Sequence, residues 1–180
     1  MIAKRTIFIP LALFAAALSP ALAQADTPTP GDIPDNQAFV RFTGSGYSLI
    51  TPEGWARVKR GNVVTLSDKY NAISVEVKAA PTAPTISSVT AKELPGLRSA
   101  TPGFSSPKLT TVTRPAGRVV LVRYQARSPR DVVTGRTIVN DFERYEFWKK
   151  GRVAIVTVQA PHGSDNVDPW RKVTTSFQWR

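Results

Sequence analysis

The chain's single histidine lies in its most site-like segment, where His162 is followed by Asp165, Asn166 and Asp168. Oxygen ligands at alternating spacing in a loop suit calcium, and a neighbouring imidazole admits manganese or zinc. The same residues also read as a polar turn. In that reading Asp165 and Asn166 satisfy local backbone groups, and Asp168, directly before Pro169, is the N-cap of a short helix. Calcium takes about six to eight oxygens and this loop offers few. His162, Asp165 and Asp168 therefore stand only as weak metal candidates, and neither calcium nor manganese is expected as a cofactor.

Covalent catalysis has little to work with. There is no cysteine, only one imidazole, and no serine in a Gly-x-Ser-x-Gly elbow. No glycine-rich phosphate loop is present either. Asp141 and Glu143 share one face of a strand, with Glu146 on the other, so acid–base work on an envelope polymer is conceivable. Arg144 and Lys149 instead suggest ordinary cross-strand ion pairs. No catalytic residue is assigned. Aromatics offer a different chemistry, that of recognition. Trp55, Tyr70, Tyr145, Trp148 and Trp170 are available, and Trp, Tyr and Arg are the usual anchors of interfaces. Trp148 stands beside the turn Lys149-Lys150-Gly151, and with Arg152 this gives the partner-binding candidates Trp148, Lys149, Lys150 and Arg152.

The elements that must position these groups follow from periodicity. A long strand Arg136–Trp148, a tight turn and a second strand Arg152–Ala160 lead through the polar loop to the final helix. Trp170, Val173 and Phe177 form that helix's apolar face. The long strand carries charge on both faces, which places it partly at a sheet edge or beyond the helix that covers it. Val119–Val122 and Val153–Val158 are nearly continuous apolar runs, the pattern of strands covered on both sides. Earlier strands are expected at Phe39–Thr43, Tyr47–Thr51, Val63–Ser67, Ala72–Ala79 and Lys108–Arg114. A first helix is expected over Thr85–Leu97, capped by Ser87 or Ser88, with Pro95 disturbing its later half by a kink or an early stop. The order of elements gives an α+β layered sandwich on an antiparallel sheet.

Residues 1–23 read as a signal peptide. Lys4 and Arg5 precede the apolar stretch Ile7–Leu18, and Ala21-Leu22-Ala23 closes it with a small-x-small cleavage site. Their removal leaves 22 Lys and Arg against 13 Asp and Glu, a net charge of +9. Residues 24–37, rich in Pro and Thr, read as a linker, and 38–180 as one domain. The positive charges are scattered over turns rather than gathered into a stripe, which argues against nucleic acid as partner.

Several strings, in this order, resemble the PsbP family, the extrinsic subunits of photosystem II and their bacterial relatives. They are Tyr47-Ser48-Leu49 leading into Pro52-Glu53-Gly54-Trp55, then Ile73-Ser74-Val75-Glu76-Val77, Gly135, and Glu143-Arg144-Tyr145. Val158-Gln159-Ala160-Pro161, Asp168-Pro169-Trp170 and Ser176-Phe177 complete the set, so the likeness runs from about Phe39 to Trp179. The resemblance implies a three-layer α/β/α sandwich around an antiparallel sheet, and a domain that binds other proteins without catalysis. Photosynthetic members also help retain calcium and chloride at the manganese cluster. This chain has one histidine where plant members have several metal-ligand candidates, so the photosystem role is not carried over.

The sequence thus leads to an exported protein, periplasmic or extracellular, non-catalytic, binding an envelope protein or an anionic envelope component. The alternative is a binder of a small ligand or of calcium or manganese, and a hydrolase of envelope polymers ranks below both.

Overall fold

Hairpins build most of the chain, because short polar turns separate stretches of alternating or continuous apolar residues. The computed structural model describes residues 31–132 and 135–180. The expected signal peptide and the first part of the linker lie outside the described residues. In chain order the strands are β1 (Phe39–Gly44), β2 (Tyr47–Pro52), β3 (Ala56–Arg60), β4 (Val63–Asp68) and β5 (Asn71–Ala79). A helical segment follows: one turn α1 (Ile86–Ser88), a π-helical stretch Val89–Glu93 and α2 (Leu94–Ala100). Then come β6 (Ser105–Arg114), β7 (Gly117–Arg127), β8 (Val139–Lys149), β9 (Arg152–Pro161), helix α3 (Val167–Thr175) and β10 (Gln178–Trp179).

Seven strands form one antiparallel sheet in the order β3-β4-β5-β9-β8-β7-β6, and β1-β2-β10 form a small second one. Strand alternation divides the core in two. Val119, Leu121, Tyr145, Phe147, Val156 and Val158 face α3 and the small sheet. Val120, Val122, Tyr124 and Ala126 face the helical segment instead, under Val89, Leu94 and Leu97. The expected three-layer α+β sandwich is therefore present, with one outer layer made jointly by α3 and the small sheet.

Four local expectations need correction. β8 is interior, flanked by β7 and β9, not at an edge. Asp141, Glu143, Arg144 and Glu146 are tolerated because each meets a partner, as described below, and Lys149 is exposed at the strand end. The first helix is capped by Thr85, whose hydroxyl accepts from the Ser88 N–H while Ser88 Oγ accepts from the Thr85 N–H. Pro95 neither stops nor ends the helix. The widened π stretch just before it relieves the clash that a proline ring makes with the carbonyl four residues back. Finally, α3 begins at Val167 behind Asn166, so Asp168 lies inside its first turn rather than capping it.

The described part of the expected linker is not free chain. Ile33 is buried and its N–H donates to Asn166 Oδ1 at 2.8 Å, while Asn166 Nδ2 donates to Gly31 O at 2.8 Å. Gly31 is required there, since a Cβ would come within 2.5 Å of the Pro161 ring and its φ is +100°. Asn166 also reaches Asn71 Oδ1 at 3.3 Å, so one buried amide ties the N-terminal segment to α3 and β5. Asn166→Ala should cost about 2 kcal/mol, because it leaves a buried N–H and carbonyl without partners. Limited proteolysis should then cut near Gly31–Asn36 faster than in the wild type; unchanged cleavage would contradict the tie.

Candidate functional site: two clefts on one face of the sheet

Register decides what each charged side chain of β8 meets. Arg123 stands opposite Glu143 and Gln125 opposite Asp141 across the β7–β8 pair, all on the α3 face. Arg123 Nε donates to Glu143 Oε1 at 2.6 Å, and the Tyr145 hydroxyl donates to Glu143 Oε2. Tyr145 in turn accepts from Arg114 Nη2 at 3.3 Å, and the Arg114 guanidinium lies over its ring at 5.1 Å. Burial, and next the Glu143 carboxylate, push the Tyr145 phenol up to about 12, so it stays a neutral donor. The expected cross-strand ion pairing is thus made by Arg123 of the neighbouring strand with Glu143.

These groups line a cavity of about 610 Å³ between β6, β7, β8 and α3. Lys108, Arg114 and Arg123 form one wall, and Trp170 and Arg171 of α3 form the other. At its mouth His162 Nδ1 lies 2.8 Å from Asp141 Oδ2, and Gln125 Nε2 donates to Asp141 Oδ1 at 3.0 Å. An ionised Asp141 carboxylate can only accept, so this contact is made with the proton on His162 Nδ1. The strand-borne carboxylate that orients His162 lies 21 residues away in sequence, and alternation along β8 could have located it.

The three weak metal candidates do not converge. Asp165 has its backbone N–H on Asp32 Oδ1 at 2.8 Å, Asp168 pairs with Arg171 at 2.6 Å on the exposed face of α3, and His162 turns to Asp141. Among the described residues no three His, Asp or Glu side chains gather as a metal-sized cluster.

The partner-binding candidates separate as well. Trp148 Nε1 donates to Ala80 O at 2.8 Å, which makes the indole part of the sheet's scaffold. Lys149 is exposed, and Lys150-Gly151 is a two-residue hairpin loop with φ of 47° and 78°, the mirror-image turn that tight hairpins favour. Arg152 points elsewhere. Its guanidinium covers the Trp179 ring at 5.2 Å and lines a second cavity of about 560 Å³ under the β1–β2 hairpin.

On the opposite face of the large sheet lies a chain of charges that the sequence reading missed. Arg144 Nη2 donates to Glu93 Oε2 at 2.6 Å and its Nε to Glu146 Oε1 at 3.1 Å, with Lys78 3.4 Å from Glu93. Glu146 is fully buried, and burial raises its carboxyl above the usual range although Arg144 opposes this. Burial likewise pushes Tyr124, beside Arg144, up to about 12.

The fold defines the class: a PsbP-like α+β sandwich, with an antiparallel sheet between helical layers. The solution structure of cyanobacterial PsbP (CyanoP) from Synechocystis is similar, at 14% identity and a TM-score of 0.56, over 80% of this chain and 94% of that one. A Pseudomonas aeruginosa protein of unknown function matches at 16% identity and TM-score 0.50, over 79% and 97%. A Bacteroides thetaiotaomicron structure matches at 11% and 0.50, and there 78% of this chain spans only 48% of the other. No protein-family model matches the sequence, and no curated protein matches it either. Among the described residues no helix is long and apolar enough to cross a membrane.

Proposed function

We propose that this chain is an exported, non-catalytic accessory protein that binds an extracytoplasmic protein partner through the cleft beneath α3. The observation that carries this reading is the composition of the 610 Å³ cleft, which Arg114, Arg123, Lys108 and Arg171 line together with Trp170. Arginine beside tryptophan is the chemistry of interface anchors, and an acidic segment of the partner is what it recognises. Both carboxylates in the cleft are already held, Glu143 by Arg123 and Tyr145, Asp141 by His162 and Gln125. Groups so engaged support binding better than proton transfer. The N-terminal signal pattern supports export, and the likeness to an extrinsic PsbP protein agrees with an accessory role.

A photo-crosslinking residue placed at Arg171, on the cleft's rim, should give one stoichiometric adduct in the envelope fraction. The same residue at Lys92, exposed on the helical segment across the sheet, should give none. Adducts of many sizes, or equal yields from both positions, would defeat the reading.

A further inference from the structure

We infer that the second cavity, under the β1–β2 hairpin, is a binding site for a small organic anion with an apolar body. Its charge is one-sided. Arg57 and Lys59 of β3 and Arg152 of β9 line it, no Asp or Glu does, and among the described residues none of the three cations has an ion-pair partner. Its floor is apolar, made by Phe42, Tyr47 and Val77. At about 560 Å³ it falls within the roughly 300–1,000 Å³ typical of small-molecule sites. Arg57 and Arg152 are spread over the Phe42 and Trp179 rings at 5.9 and 5.2 Å, which holds two guanidinium groups at fixed positions beside the apolar floor.

A second observation also indicates a ligand. Tyr47 is buried, and its hydroxyl has no hydrogen-bond partner among the described residues. Burial pushes that phenol up, so it remains a donor at any physiological pH. The hydroxyl end lies against Gly44, where a Cβ would sit 2.6 Å from the oxygen. Gly44 and Tyr47 both line the cavity, so the hydroxyl lies in its wall. Natural proteins seldom bury an unmet donor, because the desolvation cost is not recovered. A headgroup oxygen between Tyr47, Arg57 and Arg152 would satisfy it, while an aryl or alkyl tail covers Phe42 and Val77. An organic phosphate, sulfate or carboxylate fits, whether free or as the headgroup of an anionic lipid.

The test uses the mature chain and monomeric octyl phosphate, with octanol and inorganic phosphate as controls, followed by calorimetry. Saturable binding of octyl phosphate is expected, at least tenfold tighter than either control. Arg152→Gln should weaken it about tenfold, as loss of one charge-assisted pair does. Tyr47→Phe should weaken it several-fold while leaving the melting temperature unchanged or higher, since the lost hydroxyl had no partner to lose. Arg171→Gln, in the other cleft, should have no effect. A second arm uses phosphatidylglycerol vesicles against phosphatidylcholine vesicles. Vesicle binding that drops in Arg152→Gln and Tyr47→Phe supports the site with a lipid headgroup as source. Binding of octyl phosphate alone supports it with a free organic acid. No saturable binding, or binding indifferent to Arg152 and Tyr47, overturns the inference and leaves only diffuse surface charge.

Discussion

Phe177→Ala is expected to lower stability by about 3–5 kcal/mol, the range for truncating a fully buried phenylalanine. The ring is completely buried and occupies the junction of three elements. It follows the C-cap of α3 directly and precedes β10. Phe147 of the large sheet stacks on it at 4.2 Å, Tyr47 of β2 lies at 6.1 Å, and Trp179 meets it edge-on at 5.5 Å. Removing it opens a void that neither sheet can close, because each is fixed by its own ladder. Total stabilities of single domains are only about 5–15 kcal/mol, so the variant should sit near the edge of folding. Each kcal/mol corresponds to roughly 2–4 °C for a chain of this size. Urea titration should show a lower midpoint at unchanged slope, the mark of an altered native state rather than an altered unfolded one. Val132→Ala, at a side chain 98% exposed, should change stability by no more than about 0.5 kcal/mol. A loss below about 1 kcal/mol for Phe177→Ala would refute this account of the core.

That junction also shows what the sequence could and could not disclose. Helical spacing put Phe177 with Trp170 and Val173 on one apolar helix face; all three do pack into one core cluster, but Phe177 lies past the end of α3 rather than on it. β10 escaped notice because two residues carry no periodicity; it exists only because Gln178 and Trp179 find Ser48 and Tyr47. β3 escaped for a related reason. All five of its residues are exposed, so no apolar alternation marks Ala56–Arg60, and pairing with β4 alone makes it a strand. The interior place of β8 was misread because charge was counted without its partners. Arg123 from β7 and Glu93 from the helical segment neutralise it on either face, and neither is near β8 in sequence.

For the site, local spacing was the weaker guide. His162, Asp165 and Asp168 are close in the chain, yet the His162 ring turns to Asp141, the Asp168 carboxylate to Arg171, and Asp165 is held through its backbone N–H by Asp32. Turn geometry decides that, and turn geometry depends on residues 31–33 docking from far upstream. Among the patch residues only Arg152 lines a cavity, because strand alternation sends it to the α3 face while Trp148 faces away to Ala80. The two clefts themselves lie between elements and could not be read from either element alone.

Arg144→Met is expected to cost about 3 kcal/mol at neutral pH, because it removes one member of a buried ion pair and leaves the other. Glu146 has no exposed side-chain surface, and its Oε2 has no hydrogen-bond partner among the described residues. In the wild type burial already raises its carboxyl above 4.5, while Arg144 is the leading influence holding it down. Without Arg144 the carboxyl rises further. Between 4.5 and the folded value, the folded chain then holds a proton that the unfolded chain has released. The native state binds more protons there, so stability falls as pH rises through that window. The contribution is fully present below 4.5 and fully lost above the folded value. The wild type should show the same slope over a narrower window. The difference between Arg144→Met and wild type should therefore shrink as pH is lowered from 8 toward 4.5, which cancels the titration of all other carboxylates. Glu146→Gln should flatten the profile, and adding it to Arg144→Met should recover most of the loss, since no buried charge remains. Glu93 keeps Lys78 at 3.4 Å in every variant. Denaturation midpoints across that pH range give the answer. Parallel curves for Arg144→Met and wild type would mean that Glu146 does not carry the charge this network is built around.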